Sequence, residues 1–278
     1  MSKRRLKFIF IILSAAMLIF LCLYPLWKSN GSLRYNKLII NEQEMKSIMS
    51  VRQSDQRVMT DIFFDDQKLI FDAGSNTLYY SLVEGDKKAF DPKVSAVSSA
   101  GNVSLGFLDK HITAEGIASN TKIETIVYDD SRYYVCDLIC TTLPLISIEC
   151  KNDISETETI MQMTLFDNEK DSTARVISSE GMIRTRGATS MRYPKKSYKV
   201  SLRDGEKKRN VSLLGMRQDD DWILYSCYAD PERARNVFSQ NLWTESCGTD
   251  NAYNINTGSY YKYVELFLNG EYYGLYAL

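Results

Sequence analysis

Between Met182 and Arg217 the chain sets eleven basic residues against two acids, Asp204 and Glu206. The cations are Arg184, Arg186, Arg192, Lys195, Lys196, Lys199, Arg203, Lys207, Lys208, Arg209 and Arg217. The chain as a whole carries a net charge of −1, so the patch is a strong local asymmetry. Such a density of one sign needs an anionic partner or bears its own repulsion. Phosphate is the obvious partner, because Arg grips it through two parallel hydrogen bonds and Lys holds it as a point charge. Within the patch, Arg186-Gly187-Ala188-Thr189-Ser190 turns a strand end through glycine into small hydroxyl residues. Backbone amides in such a turn can approach a phosphate closely. The run is neither a Walker loop nor a G-x-G-x-x-G, so the motif alone says little.

Pro194-Lys195-Lys196-Ser197-Tyr198-Lys199 leads into a strand with Tyr198, Val200 and Leu202 on one face. Period-two alternation puts Lys196 on that apolar face, with Lys195 and Lys199 on the other. An inward lysine is costly unless a carboxylate or phosphate meets it, which makes Lys196 the stronger ligand candidate. The plainer reading is a solvated basic face with one snorkelling lysine.

Other chemistry is thin. Asp219-Asp220-Asp221 invites a Mg²⁺ reading, but three consecutive acids point in different directions, as in a solvated loop before a Trp222–Tyr225 strand. The single His (His111) excludes triads and dyads that do not use it, and all multi-His metal sites. No metal ligands are assigned. Cys136, Cys140, Cys150, Cys227 and Cys247 lack a C-x-x-C pair and read mainly as buried free thiols, with Cys22 in an apolar run. Glu265 and Glu271 have no assigned partner. Tyr260, Tyr261, Tyr263, Tyr272, Tyr273 and Tyr276 read as sheet packing rather than a sugar platform.

The elements that must position these residues are mostly short strands. From Val58 to Cys140 runs at Val58–Phe64, Lys68–Phe71, Thr77–Val83, Val103–Phe107, Lys122–Tyr128 and Arg132–Cys140 alternate with turn-rich stretches, the pattern of a small antiparallel sandwich. Further strands are expected at Leu143–Glu149, Met161–Phe166, Ala174–Ile177, Gly181–Gly187 and Ser197–Leu202. Asp230-Pro231-Glu232 opens a helix, with Asp at the N-cap and Pro at the first helical position. Ala234, Val237, Phe238 and Leu242 continue it, and Gly248 closes it. Tyr261–Leu268 and Glu271–Leu278 flank Asn269-Gly270, a type I′ hairpin signal.

Lys3, Arg4, Arg5 and Lys7 precede Phe8–Trp27, an uncharged run of bilayer length. The basic flank predicts an uncleaved signal anchor with the remainder outside the cytoplasm; a cleaved signal peptide is the alternative. A short helical signal around Glu42–Met49 follows. Export also argues against a nucleic-acid partner.

The signatures fall in a fixed order: Leu143-Pro-Leu-Ile-Ser-Ile, Arg186-Gly-Ala-Thr-Ser, Pro194-Lys-Lys-Ser-Tyr-Lys, Leu213-Leu-Gly-Met, Asp221-Trp-Ile-Leu, Asp230 with Arg235-Asn236, and Leu268-Asn-Gly-Glu-Tyr-Tyr-Gly-Leu-Tyr. Together they resemble the spore coat protein H (CotH) kinase family, from about Leu143 to the last residue. The resemblance implies the N-terminal lobe of an atypical protein-kinase-like fold. It implies ATP with a divalent metal such as Mg²⁺, and transfer to Ser/Thr of surface or spore-coat proteins. It assigns Arg186, Gly187, Ser190, Lys195, Lys196 and Lys199 to the phosphate side of the nucleotide site. The family pattern continues to a Glu and then to catalytic Asp residues. Their counterparts are expected beyond Leu278, so the chain reads as a truncated lobe without turnover of its own.

The expectation is therefore an α+β chain: residues 1–28 a signal anchor, 29–57 a juxtamembrane spacer, 58–140 a sandwich-like domain, and 141–278 the CotH kinase-like portion. The alternative is a non-enzymatic, membrane-anchored surface or cell-wall binder using the basic patch 182–217.

Overall fold

The computed structural model describes residues 38–54, 61–83, 90, 92–98, 101–109, 111–169, 175–246, 252 and 258–278. The membrane run Phe8–Trp27, Cys22, Val58–Thr60, Ala174, Cys247 and the helix stop at Gly248 lie outside them. No helix among the described residues is long and apolar enough to cross a membrane. The fold is mostly β-sheet with few helices, a β-rich α+β arrangement.

Helix α1 (Glu42–Ile48) forms where the sequence placed its helical signal. Asn41 caps it in a capping box: its side chain accepts from the Glu44 amide while the Glu44 carboxylate accepts from the Asn41 amide. The first sheet then assembles β1 (Ile70–Asp72), β2 (Thr77–Ser81), β3 (Ser104–Phe107), β4 (Ile123–Tyr128) and β5 (Arg132–Thr141) in the order β1-β2-β5-β4-β3. Ile62–Phe64 and Val94–Ser98 centre a smaller antiparallel sheet. Leu78, Phe64, Phe107, Ile123, Val127 and Leu138 fill the core of this half. Cys136 and Cys140 lie buried in the same core.

The expected antiparallel sandwich is corrected here, because the main sheet is mixed. β2 runs parallel to β5, with Thr77 opposite Asp137 and Ser81 opposite Thr141, and Arg52–Gln53 joins β5 in parallel too. Alternation along each run fixes which face is buried, but it carries no information about strand direction.

A second sheet contains β6 (Leu145–Cys150), β7 (Thr159–Phe166), β8 (Val176–Arg186), β9 (Ser197–Asp204), β10 (Asp221–Leu224), β11 (Tyr263–Leu268) and β12 (Glu271–Ala277). The ladder runs β9-β8-β7-β6-β11-β12, and β10 pairs with the free edge of β9. Tyr225, just past β10, bridges Ala277 of β12 through two backbone hydrogen bonds of 2.8 and 2.9 Å. This single bridge brings the two ends of the sheet together at one point. Inside lie Ile146, Ile148, Met163, Ile183, Val200, Leu202, Trp222, Leu224, Leu266 and Tyr276. Each fully buried Leu or Ile contributes about 1.5–3 kcal/mol relative to exposure.

Two sequence expectations change in this half. The runs Ala174–Ile177 and Gly181–Gly187 are one strand, β8, because its polar middle is paired rather than looped: Ser178 and Thr164 hydroxyls meet at 3.3 Å across β7. The Asp230 helix starts later than predicted. Arg233 takes φ 56°, which interrupts a helical path, and helix α2 spans Arg235–Ser246. Asp230 still serves its start, since its carboxylate accepts from the Arg235 amide at 2.7 Å. Of the predicted apolar face only Val237 is buried; Phe238 and Leu242 are exposed. Asn241 docks the helix instead, exchanging two hydrogen bonds with the Tyr261 backbone at 2.8 and 2.9 Å. The final hairpin forms as expected, with Asn269 at φ 51° and Gly270 at φ 77°, the geometry of a type I′ turn.

The two halves meet through a small apolar cluster of Ile70, Tyr79, Leu145, Phe166 and Phe267.

Candidate functional site

The strand that carries the lysines begins at Ser197, after Pro194, so the period-two pattern does not reach back to Lys196. This overturns the inward placement expected for Lys196. Its ammonium turns back and donates to the Met191 and Tyr193 carbonyls at 2.6 and 2.7 Å, closing the 3₁₀ turn Thr189–Arg192. Lys195 is the lysine that reaches inward. Its ammonium donates to the Leu275 carbonyl of β12 at 2.7 Å and lies 4.3 Å from the centre of the Tyr276 ring. Gly274 lies beside it with φ 93°, a backbone conformation that favours glycine, and a Cβ there would meet the Lys195 nitrogen at an ordinary contact distance of 3.5 Å.

No carboxylate pairs with Lys195 within ion-pair distance among the described residues. Burial pushes its pKa down to about 8, and the Arg233 guanidinium adds repulsion, while Glu265 and Cys227 oppose the shift. Lys195 and Arg233 repel each other in this half-buried place, and no acid stands within ion-pair distance of either among the described residues.

Arg186 ends β8 in solvent with no partner among the described residues. Gly187 follows at φ 129°, and a Cβ there would fall 2.0 Å from the Ser190 hydroxyl oxygen, so only glycine fits this turn. Ser190 is half-buried against it. Lys199 pairs with Asp221 at 3.0 Å on the outer face, and the same carboxylate accepts from the Ser201 hydroxyl at 2.5 Å. The three consecutive acids go to separate partners, as their spacing suggested. Asp219 pairs with Arg217 at 2.7 Å, Asp220 with Lys208 at 3.2 Å, and Asp221 with Lys199. Among the described residues no group of three or more His, Cys, Asp or Glu stands together as a metal site.

Among the described residues Arg184, Lys199, Lys208 and Arg217 of the basic run have acidic partners, Lys195, Lys196 and Arg209 bond backbone carbonyls, and Arg186 stands in solvent without an acidic partner. A cleft of about 540 Å³ lies elsewhere, lined by Met216, Trp222, Ile223, Tyr260, Tyr261 and Leu278. It touches the candidate cations only through Asp221, the partner of Lys199.

Residues 183–278 match the family model described as CotH kinase protein. That segment is similar to the CotH kinase family. The match spans β8 from Ile183, the Gly187 turn, β9, β10, α2 and the closing hairpin, and so contains every candidate residue named above. The recognition drawn from the ordered motifs holds over this span. Strands β6 and β7, which complete the CotH sheet, lie before the match. No curated protein matches the chain.

Sequence reasoning missed Arg233 and Glu265 as neighbours of Lys195. Glu265 pairs across the hairpin with Leu275, whose carbonyl holds Lys195. It is buried, its carboxyl is pushed above the usual range by desolvation, and Tyr272 and Thr141 hydroxyls bond it. The sequence signal was an acid inside an otherwise apolar strand, Tyr263–Leu268, without an assigned counter-charge.

Proposed function

We propose that this chain carries the nucleotide-binding part of a CotH-type protein kinase, with Lys195 as its principal phosphate-binding residue. The observation that carries the reading is the Lys195 ammonium, half-buried near Arg233 with no acid in ion-pair distance among the described residues, within a segment that matches the CotH kinase family model. Kinase chemistry at the family level is supported by that match. ATP as donor, Ser/Thr hydroxyls of surface or coat proteins as acceptors, and attachment to a membrane through Phe8–Trp27 are the finer parts of the proposal.

The residues fit a polyphosphate. Lys195 would hold one phosphate as a point charge while Arg186, free at the end of β8, would fork another. The Gly187 turn admits backbone close to the ligand. Lys196 supports from behind by holding the 3₁₀ turn in place, and Lys199 serves the sheet through Asp221. ATP, when bound, supplies the transferable phosphoryl group; the chain's own part is to position it and neutralise its charge. Mg²⁺ belongs to the proposal as the companion of the nucleotide phosphates, since the described residues offer it no carboxylate cluster.

The surface-binder reading draws on the whole patch from 182 to 217, and internal pairing of four of its cations weakens it. Calorimetric titration with a non-hydrolysable ATP analogue and Mg²⁺, beside a polyphosphate of similar charge, separates the two. The kinase reading expects selective binding that Lys195→Met weakens at least about tenfold. Equal binding of both anions, with a steep salt dependence and no effect of Lys195→Met, would overturn it.

A further inference from the structure

The segment before the family match reaches the candidate site through one aromatic contact. Tyr79 of β2 stacks on Tyr272 of β12 with ring centres 5.1 Å apart and planes 20° from parallel. It also meets Phe267 edge-on at 5.0 Å. Tyr272 in turn donates its hydroxyl to the buried Glu265 carboxylate. Glu265 stands opposite Leu275 in the hairpin, and the Leu275 carbonyl receives Lys195. The sequence of contacts is thus Tyr79, Tyr272, Glu265, the Leu275 backbone, and Lys195.

We infer that the upstream sheet completes the phosphate site: Tyr79 fixes Tyr272, Tyr272 fixes the Glu265 carboxylate, and Glu265 is the counter-charge that keeps Lys195 protonated. Glu265 and Tyr272 are positioning residues in this scheme, acting on the ligand only through Lys195.

Three features support it. Tyr79 is buried in the joint between the halves, so its ring has few alternative positions. Among the described residues Glu265 has no cation within ion-pair distance, and the partners on it are the Tyr272 and Thr141 hydroxyls. A buried carboxylate without a paired charge is costly, and natural chains retain such groups where they do something. The groups that act on Lys195 from the surrounding elements are Arg233, Cys227 and Glu265; of these Arg233 opposes its protonation, and Glu265 is the carboxylate that favours it. Those that act on Glu265 are Tyr272, Thr141 and Lys195, with Tyr79 beyond them.

The inference rests on reading Lys195 as the phosphate residue, and the test keeps the two apart. The full chain is treated with an acylating reagent across pH, and modification of Lys195 is read by peptide mass spectrometry. Tyr272→Phe keeps the ring and loses only the hydroxyl, so it is the primary variant. Loss of the hydrogen bond releases the Glu265 carboxylate from its place opposite Leu275, Lys195 loses that nearby counter-charge, and its labelling midpoint moves to lower pH. A fall of about half a unit raises the neutral fraction, and hence the rate near pH 7, about threefold. Glu265→Gln should shift at least as far, Tyr79→Leu in the same direction but less, and Tyr79→Phe not at all. An unmoved midpoint in Tyr272→Phe and Glu265→Gln would overturn the inference. A moved midpoint, in a chain whose nucleotide affinity ignores Lys195→Met, would leave the coupling standing and remove the functional reading instead.

Discussion

The Lys195 ammonium lies 2.7 Å from the Leu275 carbonyl, so the lysine that precedes β9 is tied to β12, at the opposite end of the ladder. Its neighbour Lys196 turns away to the Met191 and Tyr193 carbonyls. Adjacent lysines thus have separate duties, and their substitutions should separate as well. Lys195→Met is expected to weaken nucleotide binding by about 1.5–3 kcal/mol, the range of a hydrogen bond to a charged group, with a small effect on the melting temperature. Lys196→Met should do the reverse, costing about 1–2 kcal/mol of stability through two abandoned carbonyls. Paired titration and thermal melts check this, and a larger binding loss in Lys196→Met would reverse the assignment.

The depressed pKa of Lys195 gives a pH signature with a definite sign. The folded chain gives up this proton near pH 8, whereas the unfolded chain holds it to about 10.5. Between those values the unfolded state binds more protons, so this group makes stability rise with pH. The Cys227 thiol, raised by burial, works in the opposite direction in part of the same window. The comparison must therefore be a difference: wild type minus Lys195→Met should gain stability from pH 8 to 10. Nucleotide affinity should fall as pH rises through about 8, because the ammonium is lost. A flat difference curve and a flat affinity profile would contradict the geometry.

Gly187→Ala tests the turn. The backbone at φ 129° excludes a side chain, and the new methyl would overlap the Ser190 hydroxyl. A cost of about 1–3 kcal/mol in stability is expected, with a further loss of nucleotide affinity. Gly187→Ala with Ser190→Ala removes the overlap and keeps the strain, so it should recover only part of the loss. Full recovery in the double variant would show that φ at this position is not constraining.

Much of this was legible in the residues. Apolar alternation located nearly every strand, Asn269-Gly270 announced the closing hairpin, and the ordered motifs named the family over residues 183–278. The parallel pairing of β2 with β5 and the Tyr225–Ala277 closure were not legible. Alternation reports a face and not a neighbour, and a single bridge between residues 52 apart leaves no local trace. The site was half legible. The charge of the basic run was plain, but the inward placement expected for Lys196 extended a strand period through Pro194, where the strand had not begun. Glu265 became interpretable only when the hairpin register put it opposite Leu275.

Lys199 marks the limit of what family resemblance transfers. Its ion pair with Asp221 is partly exposed, and pairs of that kind contribute about 0–1 kcal/mol. Lys199→Met should leave nucleotide affinity within about twofold of wild type and stability within about 1 kcal/mol. An affinity loss matching that of Lys195→Met, measured by the same titration, would restore Lys199 to the phosphate site.

The most direct test of the central claim is residue-resolved protection. The full chain is acylated near pH 8 with and without ATP and Mg²⁺, and each lysine is followed by mass spectrometry. The account predicts that the nucleotide slows modification of Lys195 several-fold, while Lys207 and Lys208, out on the β9 edge, react at unchanged rates. Uniform slowing across the basic run, or no slowing at Lys195, would contradict it.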